Sequence, residues 1–458
     1  MPRTAWAPPA FLSREEIVKA SDTVLSRSDI PIVAAEDVFR IHELGMDWDV
    51  GVMTYRPEDE SRIPCGADGL KAGIFLLHGA GEDHRALDPT ARLLAGKFGF
   101  KVVAFTCLGR LCLAEPSRRW PGEPIHADGS LRMPIWQQGE VITRDQYDVV
   151  TDDRLRDHYG IRTLARAKPG SRFYDRMASW PVAFDEAMRA ACRRHFAEGA
   201  FSIYVHAHSA GGGLGCMLMQ RCPNVAGAIT MEDSSFGYIN TARQTWSRGR
   251  GRVGRPAGAP AASHERIDPF NELYFYGWRD EAIILGPEWL AKEGPNALMR
   301  LPWLMEEVFE SWEHNKHYPN FKSEYPITHG IRASLLEAAE VAARRLKMNR
   351  EETAALVARY LAYPKELSGP GVKPMPPHLF LTSEGTRHQD LATYQSVIVP
   401  LYEAMKPKPK VALVHIRAGR HFYMTPEKDL PSGTGPAVAS VWHDAIVNGF
   451  FVTQTAKV

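Results

Sequence analysis

Cysteine is scarce in this sequence, with six residues in 458, and no two of them stand in C-x-x-C spacing. That pattern fits neither a disulfide framework nor a zinc site, so we expect reduced, buried thiols and a cytoplasmic protein. Long apolar runs are also missing, because none approaches the roughly eighteen residues that a membrane-spanning helix needs. The first residues show no apolar segment typical of a secretory signal, so we expect no membrane partner.

An excess of charge of either sign is absent, because 55 basic residues are balanced by 54 acidic ones and the net charge is +1. This balance argues against a nucleic-acid partner. The arginines between Arg248 and Arg255 alternate mainly with glycine, which is typical of a flexible loop, although an RNA-binding arm is the alternative. Hydrophobic residues make up 44% of the chain, which is enough for a large globular core.

Small residues surround a serine near the middle of the chain, where a strand-like segment meets a helix-like one. Residues 207–211 read Ala-His-Ser-Ala-Gly, the form G-x-S-x-G with Ala207 in the first glycine position. Small side chains at these positions allow a tight turn to present the serine hydroxyl. The pattern predicts a nucleophile elbow at Ser209. A phosphate-binding glycine loop is the alternative, but the spacing fits neither G-x-G-x-x-G nor G-x-x-x-x-G-K-S/T.

Short apolar runs alternate with amphipathic segments on both sides of this serine. Two alternating runs, Val38–Leu44 and Trp48–Tyr55, predict an antiparallel pair at a sheet edge. Buried strands are predicted at 72–77, 101–106, 201–206, 225–231, 378–382 and 411–416. Helices are predicted at 13–19, 86–98, 180–196, 212–219, 391–405 and 436–451. This order predicts an α/β protein with a doubly wound, mostly parallel sheet.

Two long stretches interrupt the alternation. Residues 110–179 show no steady period and are interpreted as an excursion from the core, which we assign to 1–235 and 371–458. Residues 236–370 are predicted to form a large helical cap over the carboxyl ends of the strands, where ligands bind in such sheets. Near its end, Asn349 and Glu352 have the spacing of a helix capping box.

A serine hydroxyl becomes a nucleophile when a histidine takes its proton and a carboxylate orients that histidine. His421 follows the last predicted strand, in a loop opened by Gly419, and comes after the serine in the chain. The segment that begins at His78 reads His-Gly-Ala-Gly at the end of an earlier strand. The N–H groups of Ala80 and Ala210 are therefore predicted to form an oxyanion hole, with His78 supporting the loop by hydrogen bonding.

Together, these three motifs resemble the α/β-hydrolase fold superfamily over roughly residues 35–235 and 375–455. The resemblance implies Ser209 as nucleophile, His421 as general base and acid, and a mobile cap that shapes the substrate pocket. The superfamily includes esterases, lipases, amidases, C–C hydrolases, dehalogenases and lyases, so it implies a mechanism more directly than a substrate. We expect a cofactor-free carboxylic ester hydrolase. The alternatives are an amidase, a C–C hydrolase and a non-catalytic ligand-binding protein.

The carboxylate of the triad has more than one candidate. In most of the superfamily it follows the strand before the last, but His388 stands here where aspartate is expected, which leaves Glu384 and Asp390. In a minority it follows the strand after the nucleophile helix, where this chain has Glu232 and Asp233. Two adjacent carboxylates at the end of a buried strand need a purpose. We favour Glu232, with Asp233 second, because Glu232 directly follows the apolar run.

A metal site is the remaining possibility among the histidines. His314 and His317 stand three positions apart, but no third ligand lies near them in the sequence, so we expect no metal and no cofactor. The expected partner is a small-molecule substrate. A homo-oligomer stays open.

Overall fold

The computed structural model describes residues 6–79, 84–106, 147–151, 163–167, 173–209, 211–231, 339, 343, 347–362, 373–386, 391–395, 399–404 and 407–452. Most of the predicted cap at 236–370 lies outside these residues. The same is true of Ala80, Ala210, Glu232, Asp233 and Asp390.

Strands and helices alternate along the described chain. The strands are β1 Phe11–Leu12, β2 Ile32–Glu43, β3 Met46–Pro57, β4 Lys71–Leu77, β5 Lys101–Phe105, β6 Tyr147–Thr151, β7 Thr163–Ala167, β8 Phe201–His208, β9 Val225–Met231, β10 His378–Gly385 and β11 Val411–Arg420. The α-helices are α1 Arg14–Leu25, α2 Asp88–Phe98, α3 Phe173–His195, α4 Gly211–Arg221, α5 Arg350–Leu361, α6 Leu391–Thr393, α7 Val399–Ala404 and α8 Gly435–Val447.

A nine-stranded sheet organises the described residues in the order β1-β11-β10-β9-β8-β4-β5-β3-β2. The first seven strands in this order, β1 through to β5, are parallel to one another. Strand β3 runs antiparallel to β5 and to the edge strand β2. Leu44 and Gly45 join β2 to β3 with positive φ angles of 49° and 74°, as a two-residue hairpin of type I′ requires. The predicted α/β, mostly parallel sheet and its antiparallel edge pair are confirmed.

Burial is greatest in the strands at the middle of the sheet. All eight residues of β8 are buried, as are the last six of β4, so both faces of these strands are covered. Continuous apolar runs are typical of parallel strands with helices on either side. The carboxyl end of β8 therefore emerges from the centre of the core, directly before Ser209.

Several predicted boundaries are wrong: the first helix runs on to Leu25, strand β2 begins at Ile32 and strand β10 extends to Gly385. Three further differences have a visible cause or consequence. Helix α3 begins at Phe173, so it starts inside the predicted excursion. Strand β11 extends to Arg420 because Gly419, with φ of +84°, allows an irregular pairing of Arg420 with β10. Helix α8 ends at Val447 and not at 451, since Gly449 adopts a left-handed φ of +87° shortly beyond its end.

Parts of the two interrupting stretches are also described. Strands β6 and β7, within the predicted excursion at 110–179, form a separate antiparallel ladder. Helix α5 lies in the predicted cap, and its capping box is confirmed, with the Asn349 side chain accepting from the Glu352 N–H and the Glu352 carboxylate accepting from the Asn349 N–H. The domain boundaries themselves stay predictions. Among the described helices, none is both long and apolar enough to cross a bilayer.

Two fully buried histidines make the fold sensitive to acid. Burial lowers the pKa of His206 and of His378 from 6.5 to about 3. Below 6.5 the unfolded chain binds protons that the folded chain excludes, so the free energy of unfolding should fall as the pH decreases. Each site contributes roughly 1 kcal/mol per pH unit down to the folded pKa. Urea unfolding at a series of pH values measures this slope.

The variant His378→Gln removes one of these titrating groups and should reduce the acid dependence of the unfolding free energy. His42→Gln is the matched control because it removes an exposed histidine and keeps both buried ones. Equal slopes for wild type and His378→Gln would contradict the prediction.

Candidate active site

Ser209 lies in a strained turn between β8 and α4. Its φ angle is +51°, a left-handed conformation that costs a non-glycine residue about 1–3 kcal/mol and persists only where its surroundings enforce it. The Ser209 N–H donates to the Met231 carbonyl at 3.4 Å, and its own carbonyl accepts from the Gly212 N–H at 3.2 Å. This is the backbone geometry of a nucleophile elbow, which lifts a serine hydroxyl above the end of a parallel sheet.

Close packing explains the small residues around this turn. A Cβ on Gly211 would lie 2.8 Å from the His78 carbonyl oxygen and 3.1 Å from the Leu77 oxygen. A Cβ on Gly215 would lie 3.2 Å from the Cβ of Ala207. The helix therefore rests directly on β4 and β8. Alanine at 207, where the motif usually has glycine, fits because Gly215 opposite has no side chain.

Gly211→Ala is expected to reduce the free energy of unfolding by about 1–3 kcal/mol, because the clashing atoms are backbone oxygens that cannot move independently. Gly96→Ala in helix α2 is the matched control. The nearest atom to a Cβ there is the Ile30 oxygen at 4.0 Å, so this variant should be up to about 1 kcal/mol more stable. Urea denaturation compares the two, and equal stabilities would contradict the packing argument.

His421 follows β11 and contacts the serine from the far end of the chain. Its Nε2 lies 3.0 Å from the Ser209 Oγ, although the two residues are 212 positions apart. Burial lowers the pKa of His421 to about 4, so the imidazole is neutral at physiological pH. A neutral ring whose Nε2 faces a hydroxyl is able to accept its proton. The structure thus brings together the two residues that the sequence placed in one site.

The loop predicted to supply the oxyanion hole is described only at its two ends. His78 is 1% exposed, and its Nδ1–H donates to the Gly79 carbonyl at 2.8 Å, which agrees with the predicted supporting role. On the other side of the loop, the Nδ1 of His84 forms a 3.0 Å hydrogen bond with the Thr106 hydroxyl. Ala80 and Ala210 lie outside the described residues, so their role stays a prediction.

Of the four candidate carboxylates for the triad, the structure describes Glu384. Glu384 is exposed near the end of β10, which disfavours it because the triad acid is normally buried beside its histidine. Glu232 and Asp233 follow β9, and Asp390 follows β10, but all three lie outside the described residues. The identity of the acid therefore stays a prediction.

Two further histidines near the site were not identified from the sequence as functional. His206 and His208 contact the segment that carries His421, through the Tyr423 hydroxyl and the His421 carbonyl respectively. The sequence contained a signal for these two residues. Histidines two positions apart in a mostly apolar strand share one face, and buried polar side chains need hydrogen-bond partners.

In the part of the chain that the structure describes, no group of three or more histidine, cysteine, aspartate or glutamate side chains is placed to hold a metal ion. His314 and His317 lie outside that part. A cofactor-free site stays a prediction.

Neither a protein-family model nor a curated protein sequence matches this chain. Many solved structures are similar to it at low identity, and three of them illustrate the range. A bacterial heroin esterase is 12% identical over 96% of this chain and 94% of its own, with a TM-score of 0.36. An S-formylglutathione hydrolase from Agrobacterium tumefaciens is 12% identical over 92% and 99%, with a TM-score of 0.35. The esterase Est2 from Thermogutta terrifontis is 13% identical over 89% and 92%, also with a TM-score of 0.35.

This similarity is too distant to identify a substrate. The chain itself combines a mostly parallel sheet, a strained serine turn between a strand and a helix, and a histidine after the last strand of the sheet. In chain order the serine precedes the histidine, as in the α/β-hydrolases. The protein has the α/β-hydrolase fold.

Proposed function

We propose that this protein is a serine hydrolase that cleaves carboxylic esters of small or medium-sized substrates. The observation that carries the proposal is the 3.0 Å contact between the Ser209 Oγ and the His421 Nε2, with the serine in a left-handed turn. A strained turn that presents a hydroxyl to a buried, neutral imidazole has a clear use in nucleophilic catalysis.

In the proposed reaction, the Ser209 Oγ attacks the ester carbonyl while His421 takes the hydroxyl proton on Nε2. The N–H groups of Ala80 and Ala210 stabilise the negative charge on the carbonyl oxygen. His421 then protonates the leaving alkoxide, and an acyl-enzyme remains on Ser209. Water, deprotonated by the same imidazole, releases the acid and restores the serine.

Glu232 is the proposed acid of the triad. The Met231 carbonyl accepts a hydrogen bond from the Ser209 N–H, so the chain passes beside the nucleophile one residue before Glu232. Asp233 is the second candidate. A carboxylate near the His421 Nδ1 would hold the tautomer with a free Nε2, which is the form that accepts a proton.

The proposed preference for a small or medium-sized substrate rests on the size of the predicted cap at 236–370. A large insertion over the strand ends is typical of an enclosed pocket, and an enclosed pocket selects a defined small molecule. The same triad can cleave amides or C–C bonds. Hydrolysis rates measured on a panel of acyl esters, anilides and diketones therefore show which bond is cleaved.

Active-site labelling tests the proposal. A fluorophosphonate probe should modify the wild-type protein, and the peptide that carries the label should contain Ser209. Ser209→Ala should remain unlabelled, whereas Ser26→Ala, which removes an exposed serine after α1, should label as the wild type does. An unlabelled but folded wild type, or a label on another serine, would reject Ser209 as the nucleophile.

The dependence of kcat/KM on pH provides a separate prediction. Only the neutral imidazole accepts the serine proton, so activity is lost as the pH falls through the pKa of His421 in the free enzyme. Burial lowers that pKa to about 4, whereas a triad carboxylate acts in the opposite direction, so the acid limb of kcat/KM should lie below the ordinary histidine value of 6.5. Initial rates with an uncharged ester over a wide pH range measure the midpoint of the acid limb. An acid limb at 6.5 or above would contradict a buried base.

A further inference from the structure

Two histidines of β8 contact the segment that follows β11. His206 and His208 are two positions apart and therefore share one face of the strand. His208 is 2% exposed, and its Nε2–H donates to the backbone carbonyl of His421 at 3.0 Å. His206 is fully buried, and its Nε2 lies 3.0 Å from the Tyr423 hydroxyl. Both ends of the segment 421–423 are thus bound to the strand that leads to Ser209.

The direction of each hydrogen bond around Tyr423 follows from the state of His206. The Nδ1–H of His206 donates to the Ile229 carbonyl at 2.8 Å, which leaves Nε2 of the neutral ring as an acceptor. The Tyr423 hydroxyl therefore donates to that nitrogen, and its oxygen accepts from the Thr90 hydroxyl at 3.2 Å. The result is a continuous chain of hydrogen bonds from α2, through Tyr423, to β8 and β9.

The backbone of Tyr423 is anchored as well. Its carbonyl accepts from the Thr434 N–H at 2.7 Å and from the Thr434 hydroxyl at 3.2 Å. Its ring is 1% exposed and packs edge-on against the rings of His206, His208 and Trp442. Tyr423 is consequently an immobile point two residues beyond the imidazole.

Such anchoring has a geometric reason. In the sheet order β11-β10-β9-β8, three intervals separate the strand before His421 from the strand before Ser209. At about 4.8 Å for each interval, the two strands would lie about 14 Å apart in a flat sheet, so the end of β11 and the residues after it must bend across the strand ends to bring the imidazole to the serine. Backbone of that kind has no neighbouring strand to pair with, so side-chain hydrogen bonds, together with the bond from the Thr434 N–H to the Tyr423 carbonyl, set its position.

We propose that His208 and Tyr423 are positioning residues, which keep the His421 imidazole within hydrogen-bond distance of Ser209. The inference rests on the serine hydrolase function proposed above. Neither residue takes part in proton transfer. They act by holding the main chain of the base on its two sides, at His421 itself and at residue 423.

The test compares a non-donor with a donor at position 208. In His208→Leu the link to the His421 carbonyl is lost, and a displacement of about 1 Å should lower kcat for a p-nitrophenyl ester by about 100-fold, with little change in KM. His208→Gln should recover most of that loss because its amide N–H can donate to the same carbonyl. His195→Gln is the control, since it changes a half-buried histidine bonded to Asp37.

Titration of the His421 ring by NMR gives a readout that a general loss of stability would not move. The pKa of the ring is low because the ring is buried, so a loosened segment that admits water should raise the midpoint toward 6.5 in His208→Leu. Tyr423→Phe, which removes one oxygen atom, should shift the midpoint in the same direction and lower kcat by about 10-fold. Active-site titration corrects both rates for inactive protein.

Unchanged kcat and an unchanged His421 midpoint in folded His208→Leu would overturn the proposal. If His208→Leu does not fold, the same two measurements on Tyr423→Phe decide it. A wild type that hydrolyses no ester would reject the proposed function alone. The NMR midpoints of the variants would still support or reject the positioning of His421.

Discussion

Replacement of Ser209 by alanine is expected to lower kcat/KM for a reactive ester by about 10⁴- to 10⁶-fold while the fold is retained. The substitution removes the hydroxyl group alone. The left-handed backbone at this position costs alanine no more conformational energy than serine. The measurement is hydrolysis of p-nitrophenyl butyrate, with the unfolding free energy recorded for the same preparation. A folded variant with more than about one tenth of the wild-type rate would exclude Ser209 as the nucleophile.

His421→Gln should cause a loss of the same order, because Ser209 has no base without the imidazole. The double variant of Ser209 and His421 should be no worse than either single variant, since residues that act as one unit are not additive. Additive losses would mean that the two side chains contribute separately, and that their contact is not a catalytic pair. His443→Gln is a matched control, as His443 packs against Phe98 and Phe100.

The second large effect is expected at the triad acid. Glu232→Gln should lower kcat by up to about 10⁴-fold, because an amide at that position can stabilise the wrong tautomer of His421 and cannot offset the charge of the imidazolium. Asp233→Asn should have a smaller effect. Both variants conserve side-chain volume, so loss of the carboxylate charge is the principal change.

Glu384→Gln and Asp390→Asn are the comparison variants. Glu384 is exposed, and we expect its replacement to leave kcat near that of the wild type. A severe loss confined to Glu384→Gln or Asp390→Asn would overturn the choice of Glu232. Steady-state rates for all four variants, measured at one pH above the acid limb, distinguish these outcomes.

Local requirements explain why the sequence was informative at some positions. The elbow needs small residues two positions from the serine, and the collisions that a side chain on Gly211 would cause are the reason. Buried parallel strands need continuous apolar runs, which made β4, β8 and β9 recognisable. The capping box before α5 is equally local, because the side chains of Asn349 and Glu352 bond to each other's backbone across three positions of the chain.

Non-local contacts explain the errors. The end of β11 was misplaced because glycine normally marks a loop, whereas Gly419 here continues a strand through its pairing with β10. The roles of His206 and His208 were missed because their partners, Tyr423 and the His421 carbonyl, lie more than 200 positions away in the chain.

Residue patterns were enough to predict the class of fold, the turn at Ser209 and the choice of His421, because apolar runs indicate the strands, small residues at short spacing indicate the turn, and chain order indicates the histidine. The 3.0 Å contact between the His421 ring and the serine, and the bond from β8 to the segment bearing that ring, could be seen only in the folded chain. The physical reason is that strands β9 and β10 separate the two ends, and no local pattern records how backbone crosses a gap between strands that are not neighbours.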